Sequence, residues 1–176
     1  WVPEGRIHDS ESAQYRLAFR TIVERFAPTI RLTANCNILF CDIDPAQKDA
    51  VDALLRQYNI PPASDMTKAR KVGMACVALP TCGLALAESE RVFQGLMDSI
   101  DATLRELGLQ DEPFLIRMTG CPNGCARPYN ADIAFVGKSA NQYTVYVGGS
   151  YRGDRLAGLE EKMVKLEDIP ALVRGY

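Results

Sequence analysis

The chain has 176 residues, 47% of them hydrophobic and 24% charged, which is enough apolar material for one or two compact cores. A formal charge of −2 argues against a dedicated nucleic-acid binder and offers no attraction to an anionic membrane surface. No apolar run approaches the length that spans a bilayer, and there is no short-period repeat or low-complexity tract.

Residues 1–9 read as an extended entry segment, with Pro3 and Gly5 early. Ser10 is placed to cap a helix over 11–26, where Tyr15, Phe19, Ile22, Val23 and Phe26 share a face before Pro28 ends the run. His8, the only histidine, is assigned no role. Residues 29–43 carry the strongest strand pattern: Ile30, Leu32, Ala34, Cys36, Ile38 and Phe40 alternate with Thr29, Arg31, Thr33, Asn35 and Asn37. The polar face lacks acids. It is either the solvated side of a half-buried sheet or a face on which Arg31, Thr33 and Asn35 meet an anionic group, since Arg and neutral donors suit carboxylates. Cys36 and Cys41 are expected to be packed thiols. Asp44-Pro45 opens a helix with Val51, Leu54, Leu55 and Tyr58 on its buried stripe, and the polar residues from 60 to 71 read as loop.

Val72, Met74, Cys76 and Ala78 then alternate in a short strand that delivers Cys76; Pro80 stops the ladder and Gly83 permits a turn after Cys82. A helix is expected over 86–107, with Val92, Phe93, Leu96, Ile100 and Leu104 on its apolar stripe and Glu88, Glu90, Arg91 and Asp98 off it. Residues 114–118 form a strand leading into a loop with Cys121 and Cys125, which Pro122, Gly124 and Pro128 keep from becoming a long helix. Residues 131–136 and 143–147 read as a strand pair, 148–159 as loop and 167–173 as a last short helix.

The cysteines thus read C-x5-C, a long interval, then C-x3-C. Four thiolates on two irregular loops suit one soft metal centre, and iron–sulfur clusters take four Cys ligands in this way. Structural zinc and two disulfides are the alternatives. The x5 gap fits zinc knuckles poorly, while a chain of this size without a secretory signal at its start has little need of staples. A helix starting soon after Cys82 would turn its N–H groups toward an anionic cluster. Arg117 and Arg127 bracket Cys121 and Cys125, either as solvated surface or as neutralising groups.

ACVALPTCGLALAESER and IRMTGCPNGCARPYNADIAFVGK, together with IRLTANCNILFCDI and GRIHD, closely resemble the sirohaem- and 4Fe–4S-dependent sulfite and nitrite reductases, from about Pro3 to about Pro170. The resemblance implies an α+β fold of mixed or antiparallel sheets with helices packed on one side, the second repeat of such an enzyme. Residues 1–70 would be a ferredoxin-like half-domain and 71–176 the 4Fe–4S/sirohaem-binding domain. It further implies that Cys76, Cys82, Cys121 and Cys125 hold a 4Fe–4S cluster, that Cys125 also bridges to the sirohaem iron as axial ligand, and that Arg31, Thr33, Asn35, Arg117, Asn123 and Arg127 line the cofactors. Cys36 stands where the family usually has Gln. Members of the family are several-fold longer, so the chain reads as a C-terminal part whose main substrate-binding Arg and Lys residues lie in the N-terminal half. No catalytic residue is assigned here, and the piece alone is expected to be inactive. The implied reaction is assimilatory, six-electron reduction of sulfite to sulfide in the cytoplasm, with ferredoxin or a flavoprotein reductase as electron donor and no nucleic acid or membrane partner. Nitrite reduction to ammonia, or a non-catalytic four-cysteine zinc domain, are the competing readings.

Overall fold

A computed structural model describes residues 1–176, and internal contacts divide the chain into two units, Trp1–Met66 and Thr67–Tyr176. In the first, helix α1 (Tyr15–Phe26) buries Tyr15, Ala18, Phe19 and Ile22. They share a core with Ile60 and with Leu54 of α2 (Lys48–Gln57). Helix α1 starts later than its periodicity suggests, and its cap is not Ser10. Asp9 Oδ1 accepts from Arg16 N at 2.9 Å and Leu17 N at 3.2 Å, while Ser10 Oγ accepts from Ala13 N. A carboxylate makes the stronger bonds to a helix start, because it is charged and meets the positive end of the dipole.

The long strand expected over 29–43 is a hairpin. Strand β1 (Thr29–Leu32) pairs antiparallel with β2 (Ile38–Cys41), in the register Thr29↔Cys41 and Leu32↔Ile38. Thr33 closes the turn: its N–H donates to Asn37 O at 2.9 Å and its Oγ1 accepts from Asn37 N at 3.0 Å. The alternation is therefore split at the turn. Ile30 and Leu32 are 47% and 81% exposed, while Ile38 and Phe40 pack against the core, Phe40 edge-on to Phe19 with centroids 5.2 Å apart. Cys36 is exposed rather than packed and holds a left-handed φ of 59° at the turn. Asp44 Oδ1 accepts from Ala46 N as the cap-then-Pro order implies, but the turn it opens is a 3-10 turn, Pro45–Gln47, that runs into α2.

The second unit begins with a helix where loop was expected. Thr67 Oγ1 accepts from Arg70 N at 3.1 Å and starts α3 (Lys68–Val72). There follow β3 (Met74–Ala75), α4 (Glu90–Glu106), β4 (Ile116–Thr119), β5 (Ile133–Ser139), β6 (Gln142–Val147), β7 (Gly158–Lys165) and α5 (Ile169–Arg174). The five strands lie in the order β3-β4-β5-β6-β7; β3, β4 and β5 run parallel, and β5, β6 and β7 antiparallel. This is the mixed sheet of an α+β fold. Phe93, Leu96, Met97, Ile100 and Leu104 of α4, with Ile169 and Val173 of α5, pack on one face against Ile116, Met118, Phe135, Tyr143 and Val145. Strand β7 was missed because GLEEKMVK is exposed at every position but Val164, so ladder pairing with β6 makes it a strand without an apolar face. No helix is long and apolar enough to cross a membrane.

A polar clamp fastens α3 to α4. Arg70 Nε donates to Asp101, its Nη1 to Gln94 Oε1 at 2.8 Å and its Nη2 to Asp98 at 2.6 Å, while Thr67 Oγ1 donates to the other Asp101 oxygen at 2.6 Å. Arg70 and Asp101 are both well shielded, so removing one partner strands the other charge. Asp101→Ala should lower the unfolding free energy by about 3 kcal/mol, read from urea denaturation, and the apolar pair Arg70→Met/Asp101→Leu should lose much less. A second prediction concerns alkali. Burial and the neighbouring Glu88 charge push the Tyr143 phenol up to about 12, and burial with Glu4 does the same for Tyr15. The folded values exceed the unfolded one of about 10. Stability should hold below pH 10 and fall as pH rises from there toward 12. Tyr143→Phe should flatten that slope in urea titrations.

Candidate metal centre

Parallel pairing of β3 with β4 carries both cysteine motifs to the same end of the sheet. Met74 faces Arg117 and Ala75 faces Met118, and Cys76 N donates to Met118 O at 3.1 Å, extending the ladder by one residue. The two chains then leave the sheet side by side, at the carboxyl ends of parallel strands, where crevices for ligands commonly form. Gly120, the residue before Cys121, donates its N–H to Cys76 Sγ at 3.2 Å. Its carbonyl accepts from both Leu86 N at 2.8 Å and Ala87 N at 3.0 Å. A Cβ at Gly120 would lie 2.6 Å from Ala78 Cβ and 2.7 Å from Ala87 O, so the approach of the loops requires glycine.

The Cys76–Cys82 loop is irregular throughout. Ala78 has a left-handed φ of 44°, the Leu79–Pro80 bond is cis, and Cys82 N donates to Ala78 O at 2.7 Å. The expected start of α4 at residue 86 is displaced to Glu90, and Leu86 and Ala87 lie in a bend before it with both N–H groups donating to Gly120 O. Glu90 N instead donates to Cys76 O at 3.1 Å. Arg91, read from the sequence only as a residue off the apolar stripe, lies against this loop. Its Nη1 donates to Leu79 O at 2.6 Å and Val77 O at 3.4 Å, and its Nη2 to Thr81 Oγ1 at 3.2 Å. No spacing rule signals that contact, since an arginine on the polar face of a helix is ordinarily solvated.

The Cys121–Cys125 loop turns through Gly124, at a φ of 69°, whose N–H donates to Cys121 O at 3.3 Å. Thr119 Oγ1 also donates to Cys121 O, and the Tyr129 hydroxyl donates to Pro122 O at 3.0 Å. Burial, then Tyr146 and Cys121, hold the Tyr129 phenol above its ordinary range. Arg117 is 3% exposed and donates through Nη1 to Ala126 O at 3.0 Å, so it braces the loop from within. Arg127 and Asn123 are exposed on the same loop, and Arg127 Nη2 reaches Met74 Sδ at 3.9 Å. The thiols are graded in access: Cys121 buried, Cys76 and Cys82 half-buried, Cys125 exposed. Arg31, Thr33 and Asn35 belong to the first unit, where Arg31 is exposed on β1 and the other two lie in the hairpin turn, not on one strand face.

Do these residues suit a cluster? All six cysteines are free thiols, so the disulfide alternative does not hold. No three His, Cys, Asp or Glu side chains converge on a single-ion position. Four thiols are a donor set that either a zinc ion or a 4Fe–4S cluster takes, a cluster spreading them over separate irons. An N–H donor already meets one sulfur, as cluster sulfurs prefer. Two buried polar atoms beside the loops, Ser89 Oγ at the start of α4 and Asn130 Oδ1 just past the C-x3-C motif, have no hydrogen-bond partner. Donor type and N–H placement fit an iron–sulfur group.

Residues 2–58 match the nitrite/sulfite reductase ferredoxin-like half domain. The chain is 42% identical, over 96% of its length, to a Staphylococcus haemolyticus protein named sulfite reductase (NADPH) hemoprotein beta-component. The chain belongs to the nitrite/sulfite reductase family. Another relative, the Synechococcus elongatus protein named sulfite reductase (ferredoxin), is 46% identical over 89% of the chain. The chain spans 30% of the first of these proteins and 25% of the second. Among solved structures, the NirA protein of Mycobacterium tuberculosis superposes with a TM-score of 0.71 at 26% identity, covering 89% of this chain and 31% of that one. Within this family fold, Gly120→Ala should force the two cysteine loops apart and cost about 1–3 kcal/mol of stability in thermal or urea unfolding.

Proposed function

We propose that this chain is the cluster- and sirohaem-binding part of an assimilatory sulfite reductase, with residues 1–70 as its ferredoxin-like half-domain and 71–176 as its cofactor-binding domain. The observation that carries this reading is the junction at Gly120, where the C-x5-C and C-x3-C loops leave adjacent parallel strands joined by an N–H···S bond. Cys76, Cys82 and Cys121 serve as ligands of a 4Fe–4S cluster. Cys125, the exposed thiol of the four, would be the fourth cluster ligand and would also hold the sirohaem. When bound, the cluster and sirohaem would relay electrons from the external donor for six-electron reduction of sulfite to sulfide. The chain's residues prepare the place: the Gly120 N–H favours the Cys76 thiolate, and Arg117 and Arg127 offset the negative charge that four thiolates bring. Asn123 offers a neutral donor at the exposed loop, and within the first unit Arg31, Thr33 and Asn35 carry the kind of donors that suit carboxylates.

Sulfite is favoured over nitrite because the relatives that match most of this chain carry sulfite reductase names. Those names also support an electron donor of either the flavoprotein or the ferredoxin kind. The remaining partner is the N-terminal half of the same enzyme, which would bring the main sulfite-binding cations. Free thiols at all six cysteines suit the reducing cytoplasm. Anaerobic reconstitution of the intact protein with iron and sulfide should give a reducible cluster by absorption and EPR. Cys76→Ser and Cys121→Ser should each abolish it, and uptake of zinc without any iron–sulfur spectrum would replace this reading with a structural zinc domain. In the parent enzyme that includes the N-terminal half, turnover with sulfite should exceed turnover with nitrite.

A further inference from the structure

We propose that Arg91 is a positioning residue that holds the Cys76–Cys82 loop in its ligating shape and sets the charge beside it. The loop lacks a regular ladder: Pro80 contributes no N–H, and Ala78 sits at positive φ. Within it, Cys82 N to Ala78 O at 2.7 Å is the backbone bond that closes the turn. Arg91 adds three contacts from outside, to Val77 O, Leu79 O and Thr81 Oγ1, all on residues that separate the two cysteines. A guanidinium can do this because its N–H groups fan out in one plane. Arg91 sits on the first turn of α4, two residues before Phe93, which is buried in the main core. The loop is thereby tied to a rigid helix. Glu88 Oε1 lies 3.5 Å from Arg91 Nη1, the nitrogen that also donates to Val77 O and Leu79 O.

Two consequences follow, one independent of any cofactor and one resting on the cluster reading above. Without the clamp, the loop amides open more easily. With a cluster bound, reduction adds negative charge near a fixed cation, so Arg91 favours the reduced state and raises the reduction potential. Lysine keeps the charge but cannot reproduce the fork, which separates the two effects.

The test uses the intact protein carrying Arg91→Gln or Arg91→Lys. Hydrogen exchange at Cys82 should accelerate at least about tenfold in both variants, as expected for losing bonds to a charged group. Amides of α4 around Met97 should stay protected, showing that the fold survives. After anaerobic reconstitution, the midpoint potential from EPR-monitored titration should fall in Arg91→Gln and stay close to the parent value in Arg91→Lys. Unchanged exchange at Cys82 in Arg91→Gln would overturn the clamp. An unchanged potential in that variant would overturn the electrostatic role. Should the parent protein itself take up no iron and sulfide, the cluster reading and the electrostatic role fail together, while the exchange result still decides the clamp.

Discussion

The close approach at Gly120 is the constraint from which the second unit's functional end follows. One residue with no side chain donates to Cys76 Sγ, accepts from Leu86 and Ala87, and passes the chain directly to Cys121. Parallel pairing of β3 and β4 makes the meeting possible, since only chains leaving a sheet at the same end can bring loops so far apart in sequence into contact. The same packing repeats one strand further on, where a Cβ at Gly137 would collide with the Gly120 carbonyl. Small residues on three successive layers, Ala87, Gly120 and Gly137, let backbone lie on backbone behind the thiols. This is packing for position, at a cost in buried apolar area that the large α4 core offsets.

Each cysteine loop is braced by an arginine donating to main-chain carbonyls, Arg91 outside the first loop and Arg117 beneath the second. These residues do two jobs with one group. Their planar donors satisfy carbonyls that irregular loops leave without a ladder, and under the proposed function their charges would balance an anionic centre. Arg117 reaches its place because it alternates with Ile116 and Met118 on β4, so that the apolar neighbours fill the helix-covered face and the guanidinium takes the other. Thiol access is graded from buried Cys121 to exposed Cys125, and under the proposed function that gradient would separate an inward ligand from a shared one.

The first unit shows how an apparently strong pattern can mislead. Ile30, Leu32, Ile38 and Phe40 alternate as one strand would, yet Thr33 and Asn37 close a turn in the middle. Alternation reports which residues could share a face, not whether the chain runs straight. The residues read as one polar face, Arg31, Thr33 and Asn35, are consequently divided between a strand and a turn. Asp9 supplies a similar lesson: a cap six residues before the helix start is invisible to rules that look for one immediately before it.

What the amino-acid sequence determined by itself was the chemistry and the periodic elements. Four cysteines in two Pro- and Gly-broken stretches, the apolar stripe of α4 and the short strand before Cys121 were legible because side-chain type and local spacing suffice to specify them. Tertiary structure alone decided the rest. Whether the two motifs meet, why α4 waits until Glu90, that β7 is a strand without an apolar face, and that Arg91 grips the first loop all depend on hydrogen bonds between residues distant in sequence. Such bonds leave no local signature, since a glycine amide or a helix-surface arginine looks the same whether its partner is water or a neighbouring loop.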